Sequence, residues 1–395
     1  MKNQSEFSWA KLPGLKNRYF NNALLEKILF QFLSDKVEVK VIGSSEENRP
    51  IYRVAIGRGK KNILAWSQMH GNETTNTRAI LDLYNLLIHY NEYLLDSDEK
   101  QSFNNFLEEY TLYTIPILNP DGAEVYTRVN ANKIDLNRDA EKRTQLESQI
   151  LYSQVKELNP VLCLNLHDQR TLFGLDNKQP ATISFLAPSA NYERSITPAR
   201  RSAMAAIERA NYTLQQHISN QVGRFDDSFN INCSGDFFTN KEYPTILIEA
   251  GHYYNDYDRE LIRNMLLLSY LAIFNILKIP EAVYLNRYNT IPENRKNYTD
   301  LILRDVKVEN TGELMDIALY FREVFVNGRV MWTPEFLEVV TERESRNAHY
   351  IAERQLHEAK IDVNNILIWK DQFLTILNIY DKMLLKSIEI QFKLK

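Results

Sequence analysis

Cysteine is scarce: two residues in a chain of 395, Cys163 in an apolar run and Cys233 in a polar stretch. So few thiols exclude both a disulfide framework and a thiolate metal site, and a reducing, cytoplasmic compartment is the simplest expectation. The leading residues, MKNQSEFSWAKLPGLKNRYF, have no continuous apolar segment after their positive charge and no small-residue cleavage site, so no secretion signal is expected. Long hydrophobic runs are also missing. The nearest, LIRNMLLLSYLAIFNILKI, carries Arg263 and Asn264 near its start and falls short of the roughly 18 uninterrupted apolar residues a membrane span requires. It reads as a buried core helix. Neither sign of charge dominates: the formal net charge is -4, with Lys and Arg dispersed, which gives no footprint for nucleic acid. Repeats and low-complexity tracts are absent.

What the chain does have is 44% hydrophobic residues, enough for a large core in one big domain with a smaller one beside it. From residue 20 to residue 280, short β-rich runs alternate with longer amphipathic stretches, the pattern of an α/β domain. VEVKVIG, IYRVAIG, NILAWSQ, TLYTIPIL, VLCLNL, TISFLA and TILIEA are the expected strands. Helices are expected over NALLEKILFQFL, TRAILDLYNLLIHY, TQLESQILYSQVKEL, ARRSAMAAIERANYTLQQHI and DRELIRNMLLLSYLAIFNIL. Several strands are apolar throughout, which predicts a sheet covered on both faces. Prolines, asparagines and charges in IPEAVYLNRYNTIPENRKNY place a domain boundary near residue 290, giving units 1–290 and 291–395. The second should be small and mostly β, from LILRDVKVEN, DIALYFREVFVNGRV, NNILIWKD and LLKSIEIQFKLK, with a helical excursion around 334 to 360.

Four clusters could carry chemistry. His70 and Glu73 follow the strand NILAWSQ; three apart across a strand-to-helix turn, they can face one point, and imidazole with carboxylate is a normal zinc ligand mixture. An N-cap glutamate beside a surface histidine explains the pair alone equally well. His167 closes the strand VLCLNL, where open α/β sheets place ligands, although a lone histidine there is more often structural. Together, two histidines and one glutamate leave zinc an open fourth position, the catalytic pattern. Glu249 closes the apolar strand TILIEA; a structural salt bridge is one reading, a general base the other. Asn119-Pro120-Asp121-Gly122, then Arg128 to Asp139 (RVNANKIDLNRD), supplies planar donors suited to a carboxylate or a developing oxyanion. His252 reads as part of a loop lining the site, and His89, His217, His349 and His357 as surface residues.

The order HxxE, NPDG, RxNAxxxDLNR, a strand ending in His and a strand ending in Glu resembles the zinc carboxypeptidases of the carboxypeptidase A type, over roughly residues 20 to 280. The resemblance implies a mixed, mostly parallel sheet of about eight strands between helices, and one zinc ion held by His70, Glu73 and His167. It implies that Arg128 polarises the scissile carbonyl, that Asn137 and Arg138 grip the substrate's terminal carboxylate, and that Glu249 activates water. The expected reaction is release of a C-terminal amino acid from a peptide. Two alternatives stand beside it: an N-acyl amino acid hydrolase resembling the succinylglutamate desuccinylase and aspartoacylase group, and a non-catalytic zinc or carboxylate-binding module using residues 291 to 395 as its interaction surface. Three positions depart from the pattern. Asn72 stands where digestive members carry an arginine, and Lys133 where a glycine commonly precedes DLNR. No tyrosine matches the mobile one expected before the catalytic strand, since Tyr243 lies almost on that strand; Phe225 and Phe229 are candidates to cover the substrate instead, and neither is assigned a role.

Overall fold

The structure, a computed structural model, describes residues 7, 10–15, 17–34, 36–280, 287–308, 314–352, 358–362 and 365–368. Its helices are α1 (Asn22–Phe32), α2 (Thr75–His89), α3 (Ser97–Glu109), α4 (Pro120–Glu124), α5 (Leu146–Leu158), α6 (Pro198–Gln215), α7 (Ser234–Asn240) and α8 (Glu260–Ile273). The strands are β1 (Val37–Ser44), β2 (Pro50–Gly57), β3 (Lys61–Trp66), β4 (Tyr110–Ile115), β5 (Leu162–Asp168), β6 (Ile183–Leu186), β7 (Val222–Arg224) and β8 (Thr245–Ala250), followed by β9 (Tyr298–Val308), β10 (Leu314–Val326), β11 (Arg329–Val340), β12 (Asn347–Ala352), β13 (Glu358–Asp362) and β14 (Asn365–Ile368).

The first eight strands form one sheet in the order β1-β2-β4-β3-β5-β8-β6-β7. Its pairings of β3 with β4 and β5, β5 with β8, and β6 with β7 are parallel; β1 with β2, β2 with β4 and β6 with β8 are antiparallel. This is the mixed, mostly parallel sheet of eight strands that the sequence leads one to expect. Side chains alternate between its two faces as the strand period demands. Ile63, Ala65, Leu164 and Leu166 pack with residues of α2, α6 and α8, while Leu64, Trp66 and Cys163 pack with Leu151 and Val155 of α5 and Phe237 and Phe238 of α7. Both faces are therefore covered, which is why the central strands can be apolar throughout.

Helix α8 is the apolar stretch whose charged start argued against a membrane span, and all but the first two of its 14 residues are buried. Arg263 inside it is paired with Asp82 of α2 through two bonds, Nε to Oδ2 at 2.6 Å and Nη2 to Oδ1 at 2.5 Å. Among the described residues no helix is long and apolar enough to cross a membrane.

The second sheet runs β11-β10-β9-β13-β14, with β12 pairing parallel to β9. β10 and β11 form a hairpin around Asn327 and Gly328, both at positive φ (50° and 78°), as a tight turn between twisted strands requires. Among the described residues of the range 334 to 360, the expected helical excursion is replaced by strands. β11 pairs with β10 along its whole length to Val340, and β12 and β13 occupy the described remainder. Cross-strand pairing has overridden the local helical preference. His357 and the tail LLKSIEIQFKLK lie outside the described residues.

The sheets meet closely. Before β9 begins, Arg295 bridges to Gly174 and Glu293 to Arg224, so this stretch is laced to the first unit. Tyr126, from the segment after α4, is buried in the core of the second sheet with Leu301, Leu319, Phe321 and Trp332, and Tyr19 stacks on Phe325 with ring centroids 4.4 Å apart. A cavity of about 150 Å³ lies along this seam, lined in part by Arg18, Arg170, Tyr257, Asp300, Glu323 and Trp332.

Candidate metal centre and its cleft

Three adjacent parallel strands, β3, β5 and β8, deliver the chemistry at their carboxyl ends, where parallel sheets open their crevices. His70 and Glu73 lie just past β3. His167 and Glu249 face each other as register partners near the ends of β5 and β8.

The turn after β3 is tied to the turn after β4 backbone to backbone. The amide of Leu118 donates to the Ser67 carbonyl and that of Asn119 to the Gln68 carbonyl. Asn119 adds its side chain, with Nδ2 donating to the Met69 carbonyl at 3.1 Å and Oδ1 accepting from the Gly122 amide at 2.8 Å. Asp121 accepts from Ser45 Oγ at 2.7 Å and from Arg49 Nη1 at 2.6 Å. NPDG is thus a brace for the loop that carries Arg128, and it touches no cleft atom itself. Gly71 is required here: a Cβ on it would stand 2.0 Å from the Gly122 carbonyl carbon.

His70, Glu73 and His167 converge, all buried, each offering a ligand atom within 4.8 Å of the others. His70 Nδ1 is 2.8 Å from Glu73 Oε1, His167 Nδ1 is 2.9 Å from Glu73 Oε2, and the two Nδ1 atoms are 3.1 Å apart. Two ligands around one tetrahedral zinc lie roughly 3.3 Å apart, so the donor set and its spacing fit that ion. Burial works against charge on Glu73, yet the two imidazoles hold its carboxyl well below the usual range. His167 is pushed down by burial, whereas His70 is raised because Glu73 and Asp135 outweigh its burial.

Asp135, the first residue of DLNR, joins two parts of the site. Its Oδ1 pairs with His70 Nε2 at 2.9 Å, and its Oδ2 accepts from Arg128 Nε at 3.1 Å and Nη2 at 2.9 Å. A carboxylate behind a ligating imidazole fixes its ring and raises its basicity. Nothing in the motif's spacing alone marks Asp135 for this double contact. Arg128 keeps Nη1 over Glu73 at 3.4 Å.

The side-chain carboxylate of Glu249 accepts no hydrogen bond from any described residue. Burial, followed by the nearby charges of Glu73 and Asp168, pushes its carboxyl well above the usual range. Such a group is poised to exchange a proton.

All seven residues singled out from the sequence, His70, Glu73, Arg128, Asn137, Arg138, His167 and Glu249, line one cleft of about 350 Å³. Asn137 Oδ1 accepts from the Ser234 amide at 3.0 Å, and Arg138 Nη1 donates to the Asn137 carbonyl at 2.8 Å and lies 3.3 Å from Cys233 Sγ. Phe225 lines the cleft and packs edge-on against Phe173, whereas Phe229 packs on Tyr192. His252 is turned away, 3.1 Å from Arg259 Nη2. His349, expected on the surface, is buried instead: β12 sets it among Tyr254, Tyr257 and Tyr298, with neither ring nitrogen hydrogen-bonded. Arg170 and Asp236 also line the cleft; no motif marked either.

Residues 27–154 match the family model described as zinc carboxypeptidase. Carboxypeptidase SOL1 of Arabidopsis thaliana is 29% identical over 135 residues, 32% of this chain. The match spans 26% of that relative's length. A metallo-carboxypeptidase from Burkholderia cenocepacia superposes with a TM-score of 0.51 at 13% identity, covering 65% of this chain and 69% of that one. Bovine thrombin-activatable fibrinolysis inhibitor, solved in complex with tick carboxypeptidase inhibitor, superposes with a TM-score of 0.51 at 14% identity, covering 66% of this chain and 98% of that one. The sequence match reaches His70, Glu73, Arg128, Asn137 and Arg138 and stops before His167 and Glu249, which the fold brings to the same cleft. Residues 27–154 thus resemble the zinc carboxypeptidases in sequence, and the superposed metallo-carboxypeptidase and thrombin-activatable fibrinolysis inhibitor share the chain's fold.

Proposed function

We propose that the chain hydrolyses an amide bond next to a free carboxylate, releasing a C-terminal amino acid from a peptide. The observation that carries this reading is the placing of Glu249, the His70, Glu73 and His167 cluster, and the Asn137 and Arg138 pair along one cleft. A single zinc ion held by His70, Glu73 and His167 would supply a Lewis acid and acidify a water at its open position. Glu249 takes a proton from the attacking water and returns it to the leaving nitrogen. Arg128, aligned by Asp135, donates to the carbonyl oxygen as negative charge develops there. Arg138 and Asn137 orient the terminal carboxylate.

Asp236 extends the reading to the released residue. Its carboxyl is buried, burial pushes it up to about 7, and its Oδ1 has no hydrogen-bond partner. Its Oδ2 accepts from the Asn230 amide at 3.2 Å, and the remaining oxygen favours a side chain that brings a donor, best a cationic one. The unit 1–290 would hold the catalytic site and 291–395 a small, mostly β unit. A cytoplasmic setting is part of the proposal, supported by the free thiols of Cys163 and Cys233.

The test is metal content together with hydrolysis of a mixed library of peptides and N-acyl amino acids, comparing the parent with Glu249→Gln. The expected result is about one zinc in each protein and peptide cleavage by the parent alone. Cleavage of acyl amino acids with peptides untouched would move the assignment to the N-acyl amino acid hydrolases; bound zinc without any hydrolysis would support a binding module, and no bound zinc would overturn the centre itself.

A further inference from the structure

Arg170 follows β5 by two residues and lines both the catalytic cleft and the cavity between the sheets. Its hydrogen bonds to described residues all leave from one nitrogen: Nη1 donates to the Asn72 carbonyl at 3.3 Å, to Tyr126 Oη at 3.5 Å and to Glu323 Oε2. Nη2 and Nε donate to no described residue, while the side chain keeps 29% of its surface exposed. Asn72 lies between the cluster residues His70 and Glu73, and the Glu73 carboxylate is among the charges acting on Arg170. The guanidinium therefore stands beside the metal centre with donors to spare.

Glu323, on β10, fixes that placement. It is buried, with a side chain only 7% exposed. Besides Arg170, it accepts from Tyr126 Oη at 2.5 Å and pairs with Arg18 Nη2 at 3.0 Å. Burial works against its charge, but Arg170 and Arg18 prevail and hold its carboxyl at about 2. Tyr126 stands two residues before Arg128, so a single carboxylate from the second sheet touches both the Arg170 guanidinium and the segment leading to Arg128.

We infer that Arg170 is a substrate-binding residue for the acyl side of the cleaved bond, and that Glu323 of the second sheet is its positioning residue. The ligand is a carbonyl or carboxylate oxygen of the peptide upstream of that bond, since a planar guanidinium with free N–H groups recognises such oxygens. Arg138 has its own partners, Asn137 and Cys233, and shares none with Arg170, so the cleft offers two separately held guanidinium groups for the two ends of the substrate. The C-terminal sheet thereby becomes part of the binding site. This inference rests on the peptidase reading of the cleft.

The experiment uses the full zinc-loaded chain and compares the parent with Arg170→Ala, Glu323→Gln, the double variant, and Tyr126→Phe, which keeps the Glu323 to Arg170 bond. Peptides of three residues, with an acidic or a neutral residue upstream of the scissile bond, are followed by kinetics and by calorimetric binding. Arg170→Ala should raise KM and Kd about tenfold, more for the acidic peptide, with kcat changed less than twofold. Glu323→Gln should reproduce part of that loss, and the double variant should equal Arg170→Ala alone, because Glu323 acts through Arg170. Tyr126→Phe should leave KM within twofold. Unchanged KM and Kd in Arg170→Ala, or additive losses in the double variant, would overturn the inference. If Glu323→Gln only lowers the melting temperature, its role is structural and the inference fails at that residue. A parent that hydrolyses nothing overturns the peptidase reading, while the binding comparison still decides for or against Arg170.

Discussion

Asp135 gathers two functions into one carboxylate, behind His70 with Oδ1 and along Arg128 with Oδ2. Asp135→Asn keeps the shape and removes the charge, so metal affinity should fall about 10- to 100-fold, measured by competition with a chelator. Arg128→Ala should instead lower turnover on the order of a hundredfold while zinc stays bound, because only the donor to the developing oxyanion is lost. His349 gives a prediction away from the cleft. Burial lowers it from 6.5 to about 3, so below pH 6.5 the unfolded chain binds a proton that the folded chain refuses. Its contribution to stability is intact above pH 6.5 and is lost as the pH falls toward 3, at about 1.4 kcal/mol per pH unit, or about 2 kcal/mol at pH 5. His349→Phe should shrink the drop in melting temperature between pH 7 and pH 5; an identical drop in both proteins would refute this. At this scale the residues proposed as ligands and base were singled out because motif spacing and strand ends coincide, and the fold brings them to one cleft. Asp135, Arg170 and Asp236 were not, since their tasks depend on which side chains they meet in space.

Among the elements, the legible ones are those with a strong period. Seven strands of the first sheet and five long helices follow directly from apolar alternation. β7, with three residues, is too short to show a pattern, and the amphipathic signal of α3 is outweighed by its charges, although Asp96 and Glu99 form a capping box at its start. From 334 onward β11 was expected to be helical, because its local pattern does not show the pairing with its hairpin neighbour β10 that holds it extended to Val340. The turns after β3 and β4 touch through glycines, which makes them the most sensitive pair of loops. Gly71→Ala should displace the Gly122 backbone, lowering both the melting temperature and the zinc content, as metal analysis and thermal unfolding would reveal. Lys133 sits at φ 62°, the left-handed conformation in which a side chain is strained, at the position where the related pattern carries glycine. Lys133→Gly should therefore cost nothing and stabilise by up to about 1 kcal/mol, readable in denaturant unfolding.

Across the whole molecule, the two sheets share side chains. Tyr126 belongs to the first unit by sequence and to the second by packing, and Arg18, Arg170 and Glu323 form a buried charge cluster between them. Separating the sheets would expose Tyr126 and the apolar side chains packed on it, Leu301, Leu319, Phe321 and Trp332, a loss of several kcal/mol, on the order of 2 kcal/mol per large side chain. Heating should therefore give one calorimetric transition, reported together by Trp66 in the first sheet and Trp332 in the second; two resolved transitions would contradict this coupling. The change of character near residue 290 was visible in the sequence, but this sharing was not, because composition records where one pattern stops and not what the next one touches.

The spacing of His70, His167 and Glu249 follows from neighbouring strands β3, β5 and β8, which the peptide ladder keeps about 4.8 Å apart. That ladder is a ruler made of backbone, indifferent to the identity of most side chains around it. The loops and the second sheet that border the cleft can be rewritten in other descendants of this architecture while the reacting groups stay at the same marks. Selection can therefore change what the cleft holds without moving the groups at its floor.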